Sequence, residues 1–319
     1  MSSTDYDVVI VGGGAAGLSA AVALGRARRS VIVIDDGTPR NGPATHVHNF
    51  LTRDGTPPHE LVALGRHEAR GYGVDFRPGR AVTAERAGDG FAVRLEDDTV
   101  VTGRRLLVTT GVVDELPEVP GLAELFGRDV LHCPYCHGWE VRDQRIGVLA
   151  SGGLAGHAAL MWSQWSAEVT LLPHDGPGVE PDQLALIEAA GVTVVEGKVT
   201  SLVTEDGRLA GARLADGSSV VLDALVVQTF PVPRSAVLDE LGVRTTVLEM
   251  GDSRVARYVA ADPTGLTDAA GVWVAGNIAN PMEQVIGAAA AGLKSGAAIN
   301  YDLTLADARR ALEAAGSRR

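Results

Sequence analysis

The segment Val8-Val9-Ile10-Val11-Gly12-Gly13-Gly14-Ala15-Ala16-Gly17 limits the possible folds of this 319-residue chain more than any other stretch. A β-branched run, glycines at GxGxxG spacing and an alanine-rich continuation predict strand, tight turn and helix. The run Val31 to Asp35 then returns the chain to a strand. Gly12 permits the tight turn, Gly14 lets backbone approach a pyrophosphate, and Gly17 lets helix and strand pack closely. Asp35 closes the second strand about 20 residues on, where a carboxylate binds a ribose hydroxyl. Glycines alone serve many turns; strand, helix and acid in register predict a dinucleotide site.

A second unit of the same texture begins at Arg145, where RIGVLASGGLAGHAALMWSQWSAEVTLLPHD repeats strand, glycine turn, helix and strand. Its three motif positions are Ala150, Gly152 and Ala155, so the first glycine is missing and a methyl group crowds the turn. The following LLPHDGPG offers no arginine for a 2′-phosphate, only His174, although Asp175 could reach a ribose. NADPH is therefore not expected, and NADH is less excluded. The main expectation is a retained fold that no longer binds a nucleotide.

The two units predict an α/β protein with two Rossmann-like nucleotide-binding domains. Between them, FAVRLEDDTVVTGRRLLVTTG reads as strands around a polar turn at Glu96-Asp97-Asp98. Proline-containing stretches near Val113 to Gly121 and at Thr229 to Pro233 read as linkers. After the second, GVWVAGN and a long small-residue helix return to the texture of the first domain. The expected division is a discontinuous first domain, 1–115 and 245–319, around an inserted domain, 116–244. The tail from Leu303 to Arg319 reads as a terminal helix.

The only two cysteines form one CxxC, Cys133-Pro134-Tyr135-Cys136, flanked by His132 and His137. Imidazoles beside thiols assist their ionisation, so the set predicts a redox disulfide. The alternatives are half a zinc site, which lacks a second CxxC or HxxxH to complete four ligands, or two inert thiols. His46 and His48 in THVHNF could frame an entrance, but HxH on a loop is more often solvated. Tyr135 and Trp139 could shape a pocket or pack a core, and Trp162 and Trp165 read as helix packing in the second domain.

A net charge of −12 and 4% aromatic content argue against nucleic acid and anionic membrane surfaces as partners. Arg26 to Arg29, the longest basic cluster, reads as solvated cations at a helix C-terminus. The N-terminal MSSTDYDVVIV does not read as a signal peptide, and no apolar run approaches the roughly 20 residues of a membrane span, so a cytoplasmic location is expected. In that reducing compartment a CxxC is more often catalytic than structural.

With GGGAAG at the start, CxxC opening the middle segment and AGN near the end, nearly the whole chain resembles the low-molecular-weight thioredoxin reductases. The resemblance implies FAD in the first domain, a CxxC facing the flavin, and a homodimer. It also implies that Ala15, Arg40 and Asn41 join Gly12, Gly14, Gly17 and Asp35 at the FAD. Thr110 and Gly111 approach the nucleotide, Gly276 and Asn277 the ribityl and phosphate region, and Gln284 and Val285 the ring.

Three features depart from those reductases: His137-Gly138 where Asp-Gly is usual, the incomplete second glycine motif without a basic run, and Asn277 where Asp is usual. The set HCPYCHGWE with that decayed motif is similar to the thioredoxin reductase-like dithiol oxidases, which close disulfides in natural products of the gliotoxin and holomycin type. That subfamily implies a small dithiol substrate, no use of NADPH, and O2 as final acceptor with release of H2O2. It also implies a histidine base before the first cysteine, here His132, partnered by an asparagine, here Asn41; His137 competes for the role. A reductase driven by NADPH or NADH and a non-catalytic flavin redox sensor are the other readings.

Overall fold

The computed structural model describes residues 5–176 and 178–316. Residues 1–4, the last three of the expected terminal helix (317–319) and Pro177 of the segment after the second unit lie outside the described residues.

The β-branched run at the start forms strand Asp5–Val11, the alanine-rich stretch forms helix Ala15–Arg26, and the return strand is Val31–Asp35. These strands pair in parallel, Val8 opposite Val31 through Val11 opposite Ile34. Strand Asp75–Pro78 lies outside Val31–Asp35, and the nine-residue strand Val100–Val108 lies on the other side of Asp5–Val11. On its other edge, Val100–Val108 serves two partners along its length. Its first half pairs antiparallel with Gly90–Leu95, which continues to Ala81–Ala87, and its second half pairs in parallel with Val272–Val274. Strands near both ends of the chain thus share one seven-stranded sheet. Its central strands are apolar in nearly every position because they pack against helices Ala15–Arg26 and Val285–Gly316 on one side and against the Ala81–Ala87 and Gly90–Leu95 strands on the other.

The second unit builds a five-stranded parallel sheet in the order Thr193–Val194, Val169–Leu172, Ile146–Leu149, Ala224–Val227, Val130–Leu131. Helices Ala155–Trp162 and Pro181–Ala189 cover one face, and the antiparallel meander Val199–Glu205, Arg208–Leu214, Ser219–Val221 covers the other. Buried Asp129 joins sheet to meander by accepting from Arg208 and from the Leu209 amide at 3.1 Å. Both sheets are parallel at their centres, as the α/β expectation with two Rossmann-like units requires.

Two expectations are corrected. The stretches read as linkers contain strands Val112–Glu115 and Phe230–Pro233, which pair antiparallel with each other, Phe230 opposite Glu115 and Pro233 opposite Val112. Pro231 and Pro233 fit because a two-stranded ribbon has outer edges, where a missing N–H removes no ladder bond. Arg29, read as solvated, is bound: it donates to Asn300 at 2.9 Å and to Asp307 at 2.8 Å of the final helix, Val285–Gly316. Arg105 of strand Val100–Val108 adds Asp302 at 2.6 Å, so this strand and the turn before Val31 both hold the middle of that helix.

Candidate active site

One cavity of about 1240 Å³ runs from the first glycine turn to the CxxC, above the roughly 300–1,000 Å³ of a drug-sized ligand site. The turn is built for close approach. Gly12 has φ +104°, and a Cβ there stands 2.5 Å from the Thr109 carbonyl oxygen. A Cβ on Gly17 runs into the Gly12 carbonyl, which makes Gly17 a packing residue behind the cavity rather than part of its wall. Gly14 has open space where a side chain stands in other residues, and it begins the helix whose N-terminal amides favour an anion.

Gly12, Gly14, Ala15 and Asp35 line this end of the cavity. Asp35 accepts from the Gly13 amide at 3.0 Å and from Arg66. Arg66 escaped the sequence reading, because an isolated arginine on an amphipathic helix carries no local signal. Thr110, Gly111, Gly276, Asn277, Gln284 and Val285 also line the cavity. The Thr110 hydroxyl donates to the Arg234 carbonyl at 2.6 Å. Asn277 donates to the carbonyls of Pro281 at 3.2 Å and Glu283 at 2.8 Å, so its amide shapes the turn that brings in Gln284.

At the other end, Cys133 and Cys136 are joined in a disulfide with Cα atoms 5.3 Å apart. Cys133 precedes a one-turn helix, Pro134–His137, started by a proline whose missing N–H has no role at that position. Gly138 follows because a Cβ there lies 2.8 Å from the Trp165 ring. Trp162 is buried, whereas Trp165 sits just beyond its helix, edge-on to Tyr135 at 5.9 Å. Tyr135 and Trp139 are exposed, Trp139 beneath the Arg142 guanidinium at 4.2 Å, so neither belongs to a core.

His132 and His137 both line the cavity but differ in access. His132 opens to the cavity, with its ring stacked on Phe126 at 5.8 Å. Enclosure by protein, then the nearby Arg40 charge, lower its pKa to about 4 against the pull of Asp114. Among the described residues, both ring nitrogens of His137 are buried without a hydrogen-bond partner. Burial lowers its pKa too, with Glu140 acting in the opposite direction.

Arg40 and Asn41 lie in the cavity wall. Arg40 binds Asp114 through two nitrogens at 2.7 and 2.6 Å, and Thr229 donates to the same carboxyl at 2.8 Å. Burial tends to raise the Asp114 pKa, but these bonds outweigh it and hold the carboxyl below its usual range. Among the described residues no hydrogen bond joins Asn41 to His132, and the charged groups acting on His132 are Arg40, Asp114 and His137. Asp114 was hidden from the sequence reading by its place in a stretch read as linker. His46 and His48 line the cavity, and His48 lies 3.3 Å from both Asp54 and Glu140.

The second glycine turn is filled by the chain itself. A side chain on Gly152 meets the Gln228 amide, and one on Gly153 meets the Ser253 hydroxyl. Gln228 Oε1 accepts from the Leu154 amide at 3.4 Å, next to the first turn of the helix. His174 pairs with Asp175 at 2.7 Å, and Asp175 with Lys198 at 3.0 Å.

The sequence model described as pyridine nucleotide-disulphide oxidoreductase matches residues 6–292. The chain belongs to this family. The oxidoreductase is 32% identical to thioredoxin reductase tcpT of Claviceps purpurea, over 92% of this chain and 93% of that one. It is also similar to the crystal structure of HlmI, with 40% identity, a TM-score of 0.91, and coverage of 100% of this chain and 98% of the other. An oxidoreductase structure from Agrobacterium tumefaciens is similar at 35% identity and a TM-score of 0.88, covering 95% of this chain and 99% of that one. The oxidoreductase is thus a disulfide redox enzyme of thioredoxin reductase-like fold. Among its described residues, no helix is long and apolar enough to cross a membrane, and no cluster of three or more His, Cys, Asp or Glu side chains could hold a metal.

Proposed function

We propose that this oxidoreductase is an FAD-dependent dithiol oxidase that closes an intramolecular disulfide in a small dithiol natural product, with O2 as final acceptor. The observation that carries the reading is one cavity holding an open glycine turn, a closed CxxC disulfide and an accessible neutral histidine. The first turn fits FAD: Gly14 leaves room for a pyrophosphate beside helix amides, and Asp35 and Arg66 stand where the nucleotide sugar is held. Bound there, FAD supplies a two-electron acceptor that O2 regenerates with release of H2O2.

Free thiols ionise near pH 8.5, so a dithiol at neutral pH needs a base. His132, neutral down to about pH 4 and open to the cavity, takes a proton from one substrate thiol. The resulting thiolate attacks Cys133, forming a mixed disulfide and releasing Cys136 as thiolate. The second substrate thiol then displaces Cys133, closing the product ring and leaving both cysteines reduced. Two electrons and two protons have moved from substrate to enzyme. His137, with both nitrogens buried, is the weaker candidate for the base.

The reductase alternative requires a nicotinamide nucleotide at the second turn, where Gln228 and Ser253 already stand and Ala150 replaces the first glycine. We also propose a homodimer. An apolar line on the final helix, including Ile286, Leu293, Tyr301, Leu305 and Leu312, is exposed in the single chain and suits a second copy. Oxygen uptake with dithiothreitol as the test dithiol checks the function: one H2O2 per O2 consumed supports an oxidase, and uptake that requires added NADPH contradicts it.

A further inference from the structure

We infer that Asn49 is a positioning residue for the redox disulfide, holding the closed Cys133–Cys136 ring to the loop between the first two helices. This rests on the CxxC acting as a redox pair. A one-turn helix leaves its last carbonyls without intrahelical donors. The Asn49 Nδ2 amide donates to one of them, the Tyr135 carbonyl, at 2.6 Å. Tyr135 lies between the two cysteines, so this peptide is part of the ring that the disulfide closes.

The loop is shaped for that contact. Val47 and Thr56 pair antiparallel, with the Val47 amide donating to the Thr56 carbonyl at 2.8 Å. Asn49 adopts φ +60°, a left-handed conformation that asparagine tolerates better than most residues. Asp54 accepts from the Asn49 amide at 2.9 Å, and this bond, followed by the one to His48, holds its carboxyl below the usual range. His48 reaches Glu140, just past the redox helix, at 3.3 Å, a second contact between loop and redox segment. When the disulfide opens, the Tyr135 peptide is no longer confined by the ring, and a donor fitted to the closed form loses its fixed acceptor. Asn49 thereby favours the oxidised state.

The test is an anaerobic titration of the intact flavoprotein with mixtures of reduced and oxidised glutathione, followed by alkylation of free thiols. Two glutathione thiols give two electrons and two protons to the disulfide, yielding glutathione disulfide and the enzyme dithiol. Asn49→Gly removes the amide while keeping a residue at ease at positive φ. Thr52→Gly, at φ +72° on the same loop, controls for added backbone freedom. Removing one hydrogen bond is expected to make Asn49→Gly half-reduced at about a fivefold lower ratio of the squared concentration of reduced glutathione to the concentration of glutathione disulfide, a rise of about 20 mV in potential. Thr52→Gly is expected to titrate with the wild type. Coincident curves for Asn49→Gly and wild type, or equal shifts in both variants, overturn the assignment. A wild-type disulfide that stays closed throughout overturns the redox reading and the Asn49 role with it, and is distinguished by the wild-type curve alone.

Discussion

The two glycine turns sit at the same place in two strand–turn–helix units and have opposite surroundings. Gly14 in the first faces open space inside the large cavity, whereas Gly152 and Gly153 in the second face Gln228 and Ser253. A Rossmann-like scaffold therefore does not by itself provide a nucleotide site. The backbone amides of the turn must be left free, and on the proposed reading a missing first glycine with two inserted side chains removes that condition while leaving the sheet intact.

Gly17→Val tests the open turn most severely. Its side chain runs into the Gly12 carbonyl, so the protein is expected to lose nearly all bound flavin, measured as the ratio of flavin to protein after gel filtration. Retention of full flavin would show that the turn does not carry the cofactor.

His132→Ala tests what the open cavity does chemically. Loss of a general base is expected to lower dithiol turnover by about a hundredfold or more with flavin content unchanged. His137→Ala is expected to cost less, since its nitrogens do not reach the cavity. Equal losses would return the base role to both histidines.

The pH dependence follows from the same side chain. The His132 pKa of about 4 lies below its ordinary 6.5, so the base form persists well below neutrality and the acid limb of kcat/KM is expected near pH 4. Between those values the unfolded chain binds a proton that the folded chain does not. Stability therefore rises with pH across that window and falls as pH drops from about 6.5 to about 4. Thermal unfolding of wild type and His132→Gln across that range checks the sign, with a flatter profile expected for the variant.

The smallest effect is expected at the closed turn. Ser253→Gly combined with Gln228→Ala clears both side chains, yet Ala150 and the missing arginines remain, so NADPH affinity is expected to improve by no more than about tenfold. Tight binding in this double variant would mean that the two side chains alone close the site.

The first strand–turn–helix unit was legible because glycine spacing, β-branched runs and an alanine-rich helix are neighbouring signals that agree with one another. The ribbon formed by Val112–Glu115 and Phe230–Pro233 was not, because its prolines read as breaks until the two stretches are seen to pair across more than a hundred residues. The pairing of Arg40 with Asp114, 74 positions apart, was hidden for the same reason. Asn41 was carried to His132 by resemblance alone, and no local signal announced that the Arg40 and Asp114 charges act on that ring. Arg29 misled because a basic cluster at a helix end reveals nothing of the distant Asn300 and Asp307 that bind it.

The most direct measurement is anaerobic flavin absorbance after separate additions of dithiothreitol, NADH and NADPH to the purified protein. Bleaching by the dithiol alone, reversed by air with H2O2 release, is the predicted result. Bleaching by a nicotinamide nucleotide would contradict the account and make the enzyme a reductase.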